Sequence, residues 1–173
     1  MRKTQMLLFS VAVFLSLSRI AIAGCGDELA AKYKIHVDLV KAIIQQESKF
    51  NNGAIGHNRG SYDMCMMQVN SWWVPKLEKQ FGFTARDLRS DPCKCVEAGL
   101  WILSQSIDRY GLTWTAIGDY NAKTPAKQTQ YAWQIYRQLT RLRKDSPWVG
   151  QLAEDIPYRP VLVKEGEGFH PVQ

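Results

Sequence analysis

Three stretches of this sequence repeat apolar side chains at the period of an α-helix, and none of comparable length alternates as a strand would. Over residues 37–50 the apolar positions are Val40, Ile43 and Ile44. Over 93–110 they are Val96, Leu100, Leu103, Ile107 and Tyr110, with Gly111 as a C-terminal stop. Over 125–142 they are Ala132, Ile135, Tyr136, Leu139 and Leu142. Pro125 suits a first helical turn there, and Arg141, Arg143 and Lys144 suit the negative end of the helix dipole. Shorter helical pieces are expected at 27–33, 71–81 and 84–88. Residues 51–63, rich in Asn, Gly and Ser, read as a loop. The pattern predicts one small, mainly α domain.

The first 23 residues stand apart from that domain. Arg2 and Lys3 precede an apolar run from Leu7 to Leu17, and Ala21-Ile22-Ala23 has the form of a cleavage site. The run is short for a membrane span and is broken by serines and Arg19. Residues 1–23 are therefore expected to be an export signal, which places the protein in the periplasm. A rival reading takes Ile22-Ala23-Gly24-Cys25 as a lipoprotein box, with Cys25 lipidated and anchored to a membrane. About 150 residues remain after cleavage, enough for a single core. The leader holds three basic residues and no acid, so the formal charge of +6 falls to +3 without it. That excess suits a weakly anionic polymer. It is too small to argue for nucleic acid, and no phosphate loop accompanies it. Residues 24–144 form the expected domain. Residues 145–173, broken by Pro147, Pro157, Pro160 and Pro171, read as an extended tail or as one packed through Trp148, Ile156 and Tyr158.

Four cysteines in an exported chain favour disulfides, and four allow three pairings. Cys93 and Cys95 are separated by one residue, an awkward span for a local bridge, so each is expected to reach back. The preferred pairing is Cys25–Cys93 with Cys65–Cys95. The first closes a loop long enough to stabilise by roughly 4 kcal/mol in the chain-entropy model. The thiols lack paired zinc-site spacing, and His36, His57 and His170 form no cluster, so no metal is assigned.

Glu47 breaks the apolar stripe of its helix. It continues the series Val40, Ile43, Ile44 at the next position of the same face, where an apolar residue is expected. A carboxyl sheltered in this way holds its proton more tightly, as a general acid must near neutrality. The bland alternative is a surface glutamate at a helix end. Glu47-Ser48 is followed by Cys65-Met66-Met67-Gln68-Val69, then Asp119-Tyr120-Asn121-Ala122-Lys123, then Tyr131-Ala132 within a helix. These four elements, in this order and spacing, resemble the motifs of the soluble lytic transglycosylase family. Its usual pattern is Glu-Ser, Gly-Leu-Met-Gln, Ala-Tyr-Asn-Ala-Gly and a downstream helical tyrosine. The resemblance spans roughly residues 25–143. It is nearest to the small single-domain members that accompany secretion, conjugation or pilus machines, which also carry an early cysteine and a Pro-Cys like Pro92-Cys93.

The resemblance implies a lysozyme-like α fold and cleavage of peptidoglycan between N-acetylmuramic acid and N-acetylglucosamine, without a cofactor or metal. It makes Glu47 the acid and then the base, leaving a 1,6-anhydro end. It sets Ser48 beside the acid, Met67 and Gln68 along the cleft, Tyr120 and Asn121 on the opposite wall, and Tyr131 near Glu47. Plain packing is the alternative for Met66, Met67 and Tyr131. Cys65 stands where the family has glycine, so it is expected to narrow the cleft or to be tied back by a disulfide. Asp119 and Lys123 replace the motif's outer alanine and glycine. Asp63 is either a second carboxylate, which would permit a lysozyme-type hydrolysis, or a loop residue capping a short helix. Trp72 and Trp73 offer sugar-stacking faces or fill the core. A catalytically silent wall-binding adaptor is the reading from a different class.

Overall fold

The structure is a computed structural model and describes residues 25–144, with side chains through Leu142. The leader at 1–23, the tail at 145–173 with Trp148, Ile156 and Tyr158, and the side chains of Arg143 and Lys144 lie outside the described residues.

Among the described residues seven α-helices carry the fold: α1 Gly26–Lys32, α2 Val37–Ser48, α3 Val74–Phe81, α4 Ala85–Ser90, α5 Pro92–Tyr110, α6 Trp114–Asn121 and α7 Pro125–Lys144. The three long ones sit where the apolar period predicts them. Their ends have local causes. The His36 ring nitrogen accepts the Asp38 N–H at the start of α2, and the Asp91 carboxylate accepts the N–H groups of Cys93 and Lys94 at the start of α5. Thr84 and Asp87 form a reciprocal capping box on α4. Gly111, at φ 68°, ends α5.

The expected apolar faces meet at the centre. Leu39, Ile43 and Ile44 of α2, Leu100 and Leu103 of α5, Ile117 of α6 and Ile135 of α7 are almost wholly buried. Each such side chain contributes about 1.5–3 kcal/mol on leaving water. α7 lies against both α2 and α6, and α5 against α6. Tyr110 departs from the expected core face: at the last turn of α5 it is exposed and lies beneath the Arg109 guanidinium. The 71–81 segment also differs. It is a 3-10 turn, Ser71–Trp73, followed by α3, whose first turn accommodates Pro75.

Two elements depart further from the sequence reading. α6 was not anticipated; Thr113 caps it by accepting the Ala116 N–H. The segment read as a loop instead holds an antiparallel sheet in the order β1-β2-β3, made of β1 Ile55–Asn58, β2 Ser61–Met64 and β3 Val69–Asn70. Ile55 pairs with Met64 and Asn58 with Ser61 around a turn at Arg59-Gly60, where Gly60 has φ 82°. Asp63 pairs with Asn70 and Met64 with Val69.

Two disulfides bind this sheet and the start of α1 to α5. Cys25–Cys93 ties the start of α1 to the first turn of α5, and Cys65–Cys95 ties the β2–β3 connection to the same turn. The first engages the Cys25 sulfur that the lipoprotein alternative would lipidate. A sulfur bonded to Cys93 is not available for a thioether to lipid.

Candidate active site

The C-terminal end of α2 sets the central side chain of the site. The helix stops because Lys49 and Phe50 turn left-handed, at φ 54° and 65°. Glu47 therefore stands on the last turn, one turn beyond the buried Ile43 and Ile44. Its carboxyl borders a cavity of about 460 Å³ that Asp63, Gln68, Tyr120 and Asn121 also line. Tyr131, buried in α7, donates its hydroxyl to Glu47 Oε1. The Tyr120 ring stacks on Tyr131 at 6.4 Å, and its hydroxyl donates to the Met67 carbonyl at 2.8 Å.

Burial dominates the protonation of Glu47. Loss of water disfavours the carboxylate, the Tyr131 hydrogen bond partly offsets this, and the negative charge of Asp63 adds to it; the pKa is pushed up to about 7. Burial and the neighbouring Glu47 push both tyrosine hydroxyls well above their usual range, so they stay protonated donors.

The second carboxylate reaches the cavity from the sheet. Asp63 accepts one amide N–H from Asn58 and one from Asn70, each at 2.7 Å. It lies on β2 and caps no helix, which corrects the structural alternative given above. Beside it, the β2–β3 connection is a tight turn in which Cys65 and Gln68 both have positive φ, 62° and 49°. The Gln68 amide donates to the carbonyls of Cys65 at 2.9 Å and Ala54 at 3.3 Å, which holds the side chain against the turn. Its oxygen passes so close to Gly56 that a Cβ there would sit 3.0 Å away.

These features meet in one known family. Residues 24–135 match the model of the transglycosylase SLT domain. The chain belongs to this family. It is 39% identical to invasion protein IagB of Salmonella typhi over 142 residues, covering 78% of this chain and 88% of that one. It is 36% identical to protein IpgF of Shigella flexneri over 129 residues, 72% of this chain and 84% of that one. It is 34% identical to X polypeptide of Escherichia coli over 126 residues, 69% and 74% of the two chains. The lysozyme-like fold that the motifs imply is the fold of this SLT domain.

Within the SLT domain, the position of Cys65 acquires a physical reason. Glycine suits it because the backbone there is left-handed, and here the disulfide to Cys95 holds a cysteine in that conformation. Cys65 is fully buried and is tied back from the cavity. Two of the expected site residues are engaged within the protein. Met67 is fully buried and packs on Gly99, where an added Cβ would meet its terminal methyl at 2.5 Å. Ser48 does not line the cavity; its hydroxyl donates to the Met66 carbonyl at 2.9 Å and accepts the Asn51 N–H at 3.2 Å.

The SLT domain's cavity also has walls that the motifs did not assign. Trp72, 63% exposed, lines it from the 3-10 turn beside Trp73. Arg109 of α5 and Lys123 after α6 also line it, each paired with Asp119. Burial works against the Asp119 charge, but Lys123, Ser106 and Arg109 outweigh it and hold the carboxyl below its usual range. Among the described residues no cluster of His, Cys, Asp or Glu is placed to hold a metal.

Proposed function

We propose that this chain is a peptidoglycan lytic transglycosylase in which Glu47 serves as acid and then as base. The observation that carries the reading is a sheltered carboxyl with a pKa pushed up to about 7, bordering a cavity of about 460 Å³. Protonated Glu47 gives its proton to the glycosidic oxygen as the bond to muramoyl C1 breaks. The carboxylate so formed takes the proton of the muramoyl 6-hydroxyl as that oxygen bonds to C1. The product is a 1,6-anhydro end, and no water is consumed. The substrate's acetamido group can stabilise the intermediate cation in place of a second carboxylate. Tyr131 orients the Glu47 carboxyl, while Asn121 offers a donor and an acceptor to sugar amides and hydroxyls and Gln68 offers its amide oxygen as an acceptor. Tyr120 closes the wall behind them.

The setting follows from the same reading. Residues 1–23 export the chain to the periplasm, where its polymer lies. The name invasion protein, borne by the Salmonella relative, fits local wall opening beside an envelope-spanning secretion, conjugation or pilus machine.

One observation favours a second reading. Asp63 lines the same cavity and acts on Glu47 through its charge, as a second carboxylate in a hydrolase would. Mass spectrometry of peptidoglycan digested by the pure protein separates the two. Anhydro ends support the transglycosylase, and ends heavier by one water assign the hydrolase. A protein that binds sacculi but releases nothing is the adaptor.

A further inference from the structure

We infer that Arg109 and Lys123 form a carboxylate-binding position in the cavity, selecting glycan whose muramoyl side arm carries an anion. The inference rests on the peptidoglycan reading and extends it to the substrate's non-sugar part. Asp119 is only 2% exposed, and Ser106 at 2.7 Å and Gln128 at 3.2 Å already donate to its carboxylate. One cation would neutralise it. It has two, Arg109 at 2.9 Å and Lys123 at 2.8 Å, so the cluster keeps a net positive charge.

The surplus charge is accessible. The Arg109 and Lys123 side chains are 52% and 66% exposed, and both line the cavity that Glu47 borders. Among the described residues Lys123 donates to the Asp119 carboxylate and carbonyl alone, and an ammonium has three N–H groups. The buried carboxylate fixes both cationic heads before any ligand arrives, which lowers the ordering cost of binding. The other carboxyls that line the cavity belong to Glu47 and Asp63. An anionic substituent is thus drawn to the Arg109–Lys123 side and repelled from the Asp63 side, which orients the strand across Glu47. Peptidoglycan supplies carboxylates from two sources, the stem peptide and, where that is removed, the muramoyl lactyl group.

The test compares affinities by calorimetry, using Glu47→Gln protein to prevent cleavage, with and without Lys123→Gln. Each is titrated with soluble glycan strands that are unmodified, carboxyl-amidated or peptide-stripped. Lys123→Gln should weaken binding to unmodified strands about three- to fivefold and leave binding to amidated strands unchanged. The advantage of Lys123 should shrink as salt rises. Persistence of the loss on stripped strands assigns the lactyl carboxylate, and its disappearance assigns the stem peptide. Arg109→Gln checks the second cation, with thermal melting to show that each variant is folded. Equal affinities with and without Lys123, or the same loss on amidated strands, overturn the inference. Absence of cleavage by the wild type instead removes the enzymatic reading, and the affinity ratio still decides this one.

Discussion

Glu47 and Asp119 are two carboxyls withdrawn from water along one cavity, and their surroundings drive them in opposite directions. At the end of α2, Glu47 meets apolar core, a tyrosine hydroxyl and the like charge of Asp63, and its pKa rises to about 7. At α6, Asp119 meets two cations, and its pKa falls below 3.8 despite its burial. Burial therefore does not by itself make an acid. At Glu47 burial prevails, whereas at Asp119 Lys123, Ser106 and Arg109 outweigh it, and the difference separates a group that can exchange a proton at neutral pH from one that fixes charge.

The largest expected effect comes from breaking the first half of this contrast. Glu47→Gln should lower release of soluble muropeptides by about 10²–10⁴-fold while binding to sacculi survives. Retained turnover would place the proton transfer elsewhere. Breaking the other half should act on stability. Asp119→Asn leaves Arg109 and Lys123 facing each other without their carboxylate, and should cost about 1–3 kcal/mol at neutral pH, read by thermal melting. Because folding lowers the Asp119 pKa, this contribution is present above 3.8 and is lost as pH falls through the still lower folded value. The melting difference between wild type and variant should accordingly shrink in acid.

The smallest effects sharpen the account of Glu47. A general acid works only while protonated, so activity should decline as pH rises through about 7. Tyr131 favours the carboxylate, so Tyr131→Phe should move this decline to higher pH. Asp63 disfavours it, so Asp63→Asn should move it to lower pH, each by up to about one pH unit. Shifts in the same direction would contradict the assignment of the two neighbours. A collapse of turnover in Asp63→Asn, in place of a shift, would favour the hydrolase.

How much of this was legible in the sequence varied with the physics of each element. α2, α5 and α7 showed themselves because long helices must repeat an apolar face, and Glu47 was visible as a polar break in one of them. The sheet was not, because its strands are two to four residues long and mostly polar, and only Met64 and Val69 are buried. That omission also hid the setting of Asp63, whose partners Asn58 and Asn70 are supplied by strand pairing. α6 escaped for another reason. It is eight residues long and contains Gly118, a residue that weakens helix propensity. The fold needs glycine there because a Cβ would sit 2.6 Å from the Gln128 carbonyl on α7. Met67 shows the converse error. A motif residue beside the cavity was read as lining it, whereas the turn from Cys65 to Gln68 sends its side chain inward against Gly99.

The central claim is that the Glu47 carboxyl is held partly protonated at neutral pH. Carbon-13 NMR of protein labelled at the glutamate side-chain carboxyls measures this directly, with the Glu47→Gln spectrum identifying the resonance. Titration with a midpoint near 7 is the predicted result. A midpoint near 4.5, the ordinary glutamate value, would contradict it.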